Sequence, residues 1–445
     1  MIDPLHQLMN MCRCQIIRFL VGVFLSCTLT HAVAQIDTHT EEAPYLYTVK
    51  SGDTLSLISQ KYLLDGALIY LLQANTGINK NELKVGQIIS IPRRLIRYSE
   101  SHAVVAYLKC SSSVAVLQNS EVLKKERKIA QGDVIYVPAQ CDLSFQFEDH
   151  SVVRMPSGGN IKINVLRKSP LEKSPEVQLS LIDGRVEVKV PKRQAGDAPF
   201  GINTPNSVAG VRGTEFRVGF NKDSGVGVVE VSSGLIAAKG VADLISSSVS
   251  TQKGMVIPSQ GLANQVESLP EPIIFLSAQI QQNPNWILFV FHAGSNSQNY
   301  YLREQRYINA GGVQGLKQSE PLFLTSHLRS VAKMLTWTAQ TSSGLRGDER
   351  HYGICANQQI SSLGRCSVIF DLNQLDKPVL SLIQEGAQNT GVEILKEYRP
   401  QGDPKDLIVR GLPAGKYRWE IQSVLNGGLL TKQEGRFELI VVNQP

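Results

Sequence analysis

Between residues 104 and 238 the chain is a succession of short runs rich in Val, Ile and Phe, each closed by Gly, Pro, Ser or Asp. No other feature narrows its fold as much, because such punctuated runs read as strands joined by tight turns. Runs at 104–108, 113–117, 132–137, 143–147 and 151–155 form the series, and several alternate apolar and polar residues with period two. Residues 179–190 read as two strands around the turn Asp183-Gly184. Strands at 216–220 and 227–231 follow, and Ser232-Ser233-Gly234 turns into 235–238. Gly 36 and Pro 20 fit a mainly β chain. At 445 residues it is too long for one core, and the length predicts about three domains.

Residues 47–92 differ in texture. A short strand leads into a helix capped by Asp53 or Thr54, with Leu55, Ile58 and Tyr62 on its apolar face. A second helix is predicted over 66–74 with Leu68, Ile69 and Leu72 inward, stopped by Asn75-Thr76-Gly77. A strand over 87–91 places Ile89 and Ile91 on one face. The opening Tyr47-Thr48-Val49-Lys50-Ser51-Gly52-Asp53-Thr54-Leu55 and the closing Val85-Gly86-Gln87-Ile88-Ile89-Ser90-Ile91-Pro92 together resemble the LysM module. That resemblance implies a βααβ unit binding N-acetylglucosamine polymers such as peptidoglycan, in a shallow groove between two loops. Here the loops are Gly52-Asp53-Thr54-Leu55 and 79–87, and the implied glycan-binding residues are Gly52, Asp53, Thr54, Leu55, Asn75, Ile78, Leu83, Gly86 and Gln87. Gly52 lets a sugar approach the backbone. Leu55, Ile78 and Leu83 would floor the groove under the N-acetyl methyl. On the bare reading of the residues, Asp53 and Thr54 cap a helix and Gly86-Gln87 make a turn.

The punctuated β-segment resembles the FecR domain, named for a periplasmic regulator of ferric-citrate uptake. Three blocks carry the likeness: residues 147–155, Asp183-Gly184-Arg185-Val186, and Thr204-Pro205-Asn206-Ser207-Val208-Ala209-Gly210-Val211-Arg212-Gly213-Thr214-Glu215-Phe216-Arg217-Val218. The domain is placed at 103–262. His150 stands where the family has Gly in a tight turn, so that turn is expected to differ. Gly210 and Gly213 suggest positive φ or close strand approach, and Thr214, Phe216 and Val218 form a core-facing alternation.

Beyond residue 269, Pro270-Glu271-Pro272 and Asp376-Lys377-Pro378 each open a strand. Leu412-Pro413-Ala414-Gly415, followed by Tyr417 and Trp419, resembles the corresponding turn and strand of fibronectin type III-like domains, and 335–347 resembles a first copy. Two sandwich domains, 270–372 and 376–445, are the expectation, with one larger β-domain as the alternative. Trp337 and Trp419 read as core aromatics.

The first 34 residues read as an export signal: Arg13 and Arg18, an apolar core over 19–30, then Ala32-Val33-Ala34. That core is shorter than the about 20 residues a bilayer needs, so no integral membrane segment is expected after cleavage. Residues 35–46 are a polar leader. Cleavage leaves Cys110, Cys141, Cys355 and Cys366, which can pair in three ways or stay as free thiols. Proximity favours Cys110 with Cys141 and Cys355 with Cys366. No CxxC or HxxxH spacing indicates a metal, and no cofactor motif appears. The densest basic cluster, 124–128, is broken by Glu126 and reads as a solvated turn rather than a nucleic-acid site.

No catalytic residues are indicated: there is no GxSxG and no P-loop, and the histidines are scattered. The expectation is a mainly β, multidomain, non-catalytic protein of the periplasm or cell envelope. It is peptidoglycan-associated through 47–92 and presents the FecR-like and sandwich domains to an envelope protein partner. A periplasmic sensing subunit and a LysM-targeted peptidoglycan hydrolase are the alternatives.

Overall fold

The computed structural model describes residues 44–443 apart from 79–82, 111–114, 125–126, 157, 195–196, 212, 281–285, 293–296, 298, 306–315, 319–321, 327–331, 358–364, 373–374, 386–393, 399–405 and 425–429. The export segment 1–34, nearly all of the leader, and Arg212 of the FecR-like block lie outside the described residues. The fold is mainly β, and the described residues hold two α-helices, both before residue 75.

The described residues divide into two compact units, the first comprising those of 44–95 apart from 60–64. In it, strand Tyr45–Thr48 pairs antiparallel with Ile88–Ile91, and helices Leu55–Tyr62 and Leu68–Ala74 come between them in sequence. Period-two alternation buries Tyr47, Ile89 and Ile91, and helical spacing buries Leu55 and Ile58. The second helix departs from expectation. It starts at Leu68 and turns Ala67 and Leu71, four residues apart, into the core. Leu68 and Leu72 are half-buried, and Ile69 is 62% exposed.

In the second unit, the strands from Ser99–Glu100 to Glu267–Ser268 form a continuous hydrogen-bonded sheet that closes on itself. Its interior is aliphatic, with Phe147 meeting Phe145 and Phe200 edge to face at 5.7 and 6.0 Å. The two strands expected over 179–190 are one, Glu176–Lys189. It pairs with Gly159–Lys168 up to Gly184 and with Glu215–Asn221 from Gly184 onward. Asp183-Gly184 is therefore the point where a single strand changes partners, not a hairpin turn. Gly184 has φ +94°, and a Cβ there would lie 2.5 Å from the Gly158 carbonyl oxygen. A dipeptide with turn chemistry thus serves a backbone crossing.

Other local expectations divide. Gly213 has φ +69°, but Gly210 lacks positive φ, and a Cβ there would make only ordinary contact with the Ala237 carbonyl oxygen at 4.0 Å. His150 takes φ +64°, the left-handed conformation that glycine favours. Asp149 accepts from the Ser151 N–H and hydroxyl at 3.0 and 2.9 Å and helps hold it. Thr214, Phe216 and Val218 are buried, as the alternation requires.

From Ile274 onward the described residues form a three-stranded sheet, a two-stranded sheet and an eight-stranded sheet. The largest takes strands from both sides of residues 372–376. Strand Leu430–Asn443 lies parallel to Arg350–Asn357 on one side and antiparallel to Gly415–Val424 on the other. Trp337 and Trp419 are buried, and Trp419 meets Phe370 edge to face at 5.7 Å. Tyr417 donates its hydroxyl to the Pro413 carbonyl at 2.7 Å, a corner of the kind seen in β-sandwiches. Cys110 is bonded to Cys141, its cross-strand partner, and Cys355 to Cys366.

Candidate functional site

The first strand of the small unit continues into Val49, which ties two loops together. The Val49 N–H donates to the Gln87 carbonyl at 2.8 Å, and its carbonyl accepts from the Gly86 N–H at 2.9 Å. This brings the 50–54 loop beside the 84–87 loop, the juxtaposition that a groove between them requires. Gly52 and Gly86 have φ +83° and +86°, and a Cβ on either would meet nothing within 4 Å. Both loops therefore present bare backbone outward.

Asp53 and Thr54 have separate tasks. Thr54 is the helix cap, its Oγ1 accepting from the Leu57 N–H at 3.1 Å. The Asp53 carboxylate accepts from the Tyr47 hydroxyl and the Lys50 N–H, both at 2.7 Å, fixing the loop around Gly52. On the other loop, Gln87 Oε1 accepts from the Lys84 N–H at 3.0 Å, and the Gln87 N–H donates to the Lys84 carbonyl at 2.9 Å.

Asn75 is engaged by the protein on both ends of its carboxamide. Nδ2 donates to the carbonyls of Leu71 at 2.8 Å and Ser90 at 2.7 Å, while Oδ1 accepts from the Ser90 N–H at 2.8 Å. It stops the second helix and pins it to the second strand. Leu55 is buried in the core and not part of an exposed floor. Ile78 and Leu83 are half-buried, and residues 79–82 of the expected loop lie outside the described residues. Sequence reasoning passed over Val85, which is 71% exposed between Lys84 and Gly86. It also missed Tyr47, whose hydroxyl reaches Asp53 six residues on. Alternation marks Tyr47 as core, and only its polar end could have signalled the second task.

Elsewhere, a cleft of about 270 Å³ is lined by Asp149, Lys173, Ser174, Lys192, Arg193 and Asp197, among others. Arg193 is built into its wall, bonded to Asp149 at 2.5 Å and Ser174 at 3.1 Å. Among the described residues no group of three or more His, Cys, Asp or Glu is placed to hold a metal. No helix among them is long and apolar enough to cross a membrane.

Two family models match the chain: LysM domain over residues 47–92 and FecR protein over 133–237. No curated protein matches. Two crystal structures assigned as an anti-sigma factor from Parabacteroides distasonis match at 15% and 16% identity, each with a TM-score of 0.25, covering 30% of this chain. The chain spans 59% of the length of those structures. The FN1–FN3 domains of chicken CNTN1 match at 10% identity and a TM-score of 0.14, over 52% of this chain and 94% of that one. The chain thus carries a LysM domain followed by a FecR domain.

Proposed function

We propose that this chain is a non-catalytic envelope protein that holds peptidoglycan through residues 47–92 and presents its β-rich regions for protein interaction. A LysM domain implies binding of N-acetylglucosamine glycans, and a FecR-like domain implies a regulatory role in the envelope. The observation that carries the reading is the pair of outward, positive-φ glycines on loops joined through Val49. Bare backbone at Gly52 and Gly86 offers amides and carbonyls to the acetamide and hydroxyls of a sugar. Val85, Ile78 and Leu83 supply apolar surface for the N-acetyl methyl. Asp53, Thr54, Asn75, Leu55 and Gln87 hold the two loops in place. So shallow a site binds one glycan segment weakly, on the order of micromolar to millimolar.

The test is retention on purified peptidoglycan sacculi. Full-length protein should sediment with the sacculi, and a chain lacking 47–92 should stay in the supernatant; equal retention of both would remove the anchor from the proposal. The match of the FecR model favours a second reading, a sensing or regulatory subunit of the envelope. Its discriminator is a transcript profile of a strain lacking the gene, which an anchor alone leaves unchanged. Zymography separates both from a peptidoglycan hydrolase, whose clearing band neither reading allows.

A further inference from the structure

Glu230 is buried in the wall of the FecR-like barrel, on strand Val226–Ser233. Its Oε2 accepts from Arg185 at 2.7 Å and Arg217 at 2.8 Å. Its Oε1 is taken by a residue far along the chain, the Arg346 N–H at 2.7 Å. Burial alone would raise this carboxyl, but Arg185, Arg217 and the Arg346 N–H together hold it below the usual range. The two arginines diverge. Burial pushes Arg185 down to about 10 against the pull of Glu230, with Arg346 and Arg217 adding to the fall. Glu230 and Asp348 outweigh burial and raise Arg217.

Arg346 belongs to the loop between strands Lys333–Gln340 and Arg350–Asn357. Five more contacts seat that loop on the barrel, one of them from the Ser343 hydroxyl to Glu267 at 2.8 Å. Arg217 donates to the Arg346 carbonyl at 2.8 Å and to Asp348 at 3.2 Å. Ser232 and Gln252 both donate to Asp348 at 2.7 Å. Between these polar points, Leu345 is wholly buried against Val228, Val256 and Leu269. Gly254 makes room for it, since a Cβ there would lie 3.0 Å from a Leu345 methyl.

Three features distinguish this from a continuous core. The Leu345 cluster is separate from the barrel's main aliphatic core. The loop holds its own shape: the Thr341 N–H donates to the Leu345 carbonyl at 2.9 Å, and the Leu345 N–H to the Thr341 hydroxyl at 3.1 Å. On withdrawal, Glu230 would keep both arginines on Oε2, so its charge stays paired while Oε1 exchanges the Arg346 N–H for water.

We infer that residues 341–349 are an own-chain strap seated in a socket of the FecR-like barrel, which its release opens to a loop of the same chemistry. That chemistry is an aliphatic side chain followed three residues later by a carboxylate, with glycine between them to keep the backbone close. The strap makes the barrel and the sheets beyond it one body while closed, and masks the socket from protein partners.

Hydrogen exchange on the full chain tests this. In the wild type, the Leu345, Arg346 and Gly347 amides should open at lower denaturant than the barrel amides of 186–190. Exchange of the strap only with global unfolding would overturn the inference, whatever the variants do. In the double variant Leu345→Ala, Asp348→Asn, exchange over 226–233 and 252–257 should rise tenfold or more with 186–190 unchanged. A synthetic peptide of residues 341–349 should then restore the protection; unchanged rates on either count would overturn it.

Discussion

Glycine does opposite work in the two units. Gly86, in the LysM domain, has positive φ and open space where a side chain would go. Gly184, in the FecR-like barrel, also has positive φ, but its missing side chain is filled by the backbone of Gly158 and Gly159. The same backbone conformation therefore means exposure in one place and a crossing of chains in the other. Polar side chains differ in the same sense. Asn75 and Asp53 fix nearby backbone and leave the surface bare, whereas Glu230 gathers arginines from other strands into a buried cluster.

The hardest test of that contrast is Glu230→Ala. It leaves Arg185 and Arg217 buried without their shared carboxylate and should cost about 4 kcal/mol in chemical denaturation. The same network sets a pH dependence. Glu230 and Asp348 are both held below the usual carboxylate range, so their contribution is present above the unfolded-state values, about 4, and is lost as pH falls through the lower folded-state values. Stability of the second unit should drop steeply only below about pH 4, and much less so in Glu230→Gln.

Gly184→Ala comes next. Strained φ plus contact with the Gly158 carbonyl predicts a loss of about 3 kcal/mol, read as a lowered melting temperature. Asn75→Ala removes three hydrogen bonds from one side chain and should destabilise the LysM domain by about 2 kcal/mol. Gly86→Ala should cost only about 1 kcal/mol, since the strain has no clash added to it, yet lower sacculus retention severalfold. Were Gly86→Ala as destabilising as Gly184→Ala, the distinction between open and crowded glycines would collapse.

Local pattern made much of this molecule legible. Alternation located the strands at 143–147, 216–220 and 227–231, and helical spacing set Leu55 and Ile58 inward. The errors arose where a distant neighbour decides the outcome. Asp183-Gly184 has the composition of a turn, and only Gly158 and Gly159 make it a crossing. The anchoring of Asn75 to Ser90, fifteen residues away on another element, is equally invisible to local pattern. The outward face of Ile69 is not legible because a seven-residue helix carries too few positions for a period to be read. The Glu230 cluster spans residues 185 to 346, a separation no window on the sequence covers.

The placement of strand Leu430–Asn443 inside the eight-stranded sheet has a consequence for how the protein is made. Its parallel neighbour, Arg350–Asn357, is synthesised about eighty residues earlier and must wait for it. A chain emerging N-terminus first can complete the barrel while this sheet still lacks an inner strand, leaving apolar strand edges unpaired. Premature termination before residue 430 should therefore yield a soluble LysM–FecR portion attached to an aggregating remainder, and factors that shield nascent strands should matter most for the last third of the molecule.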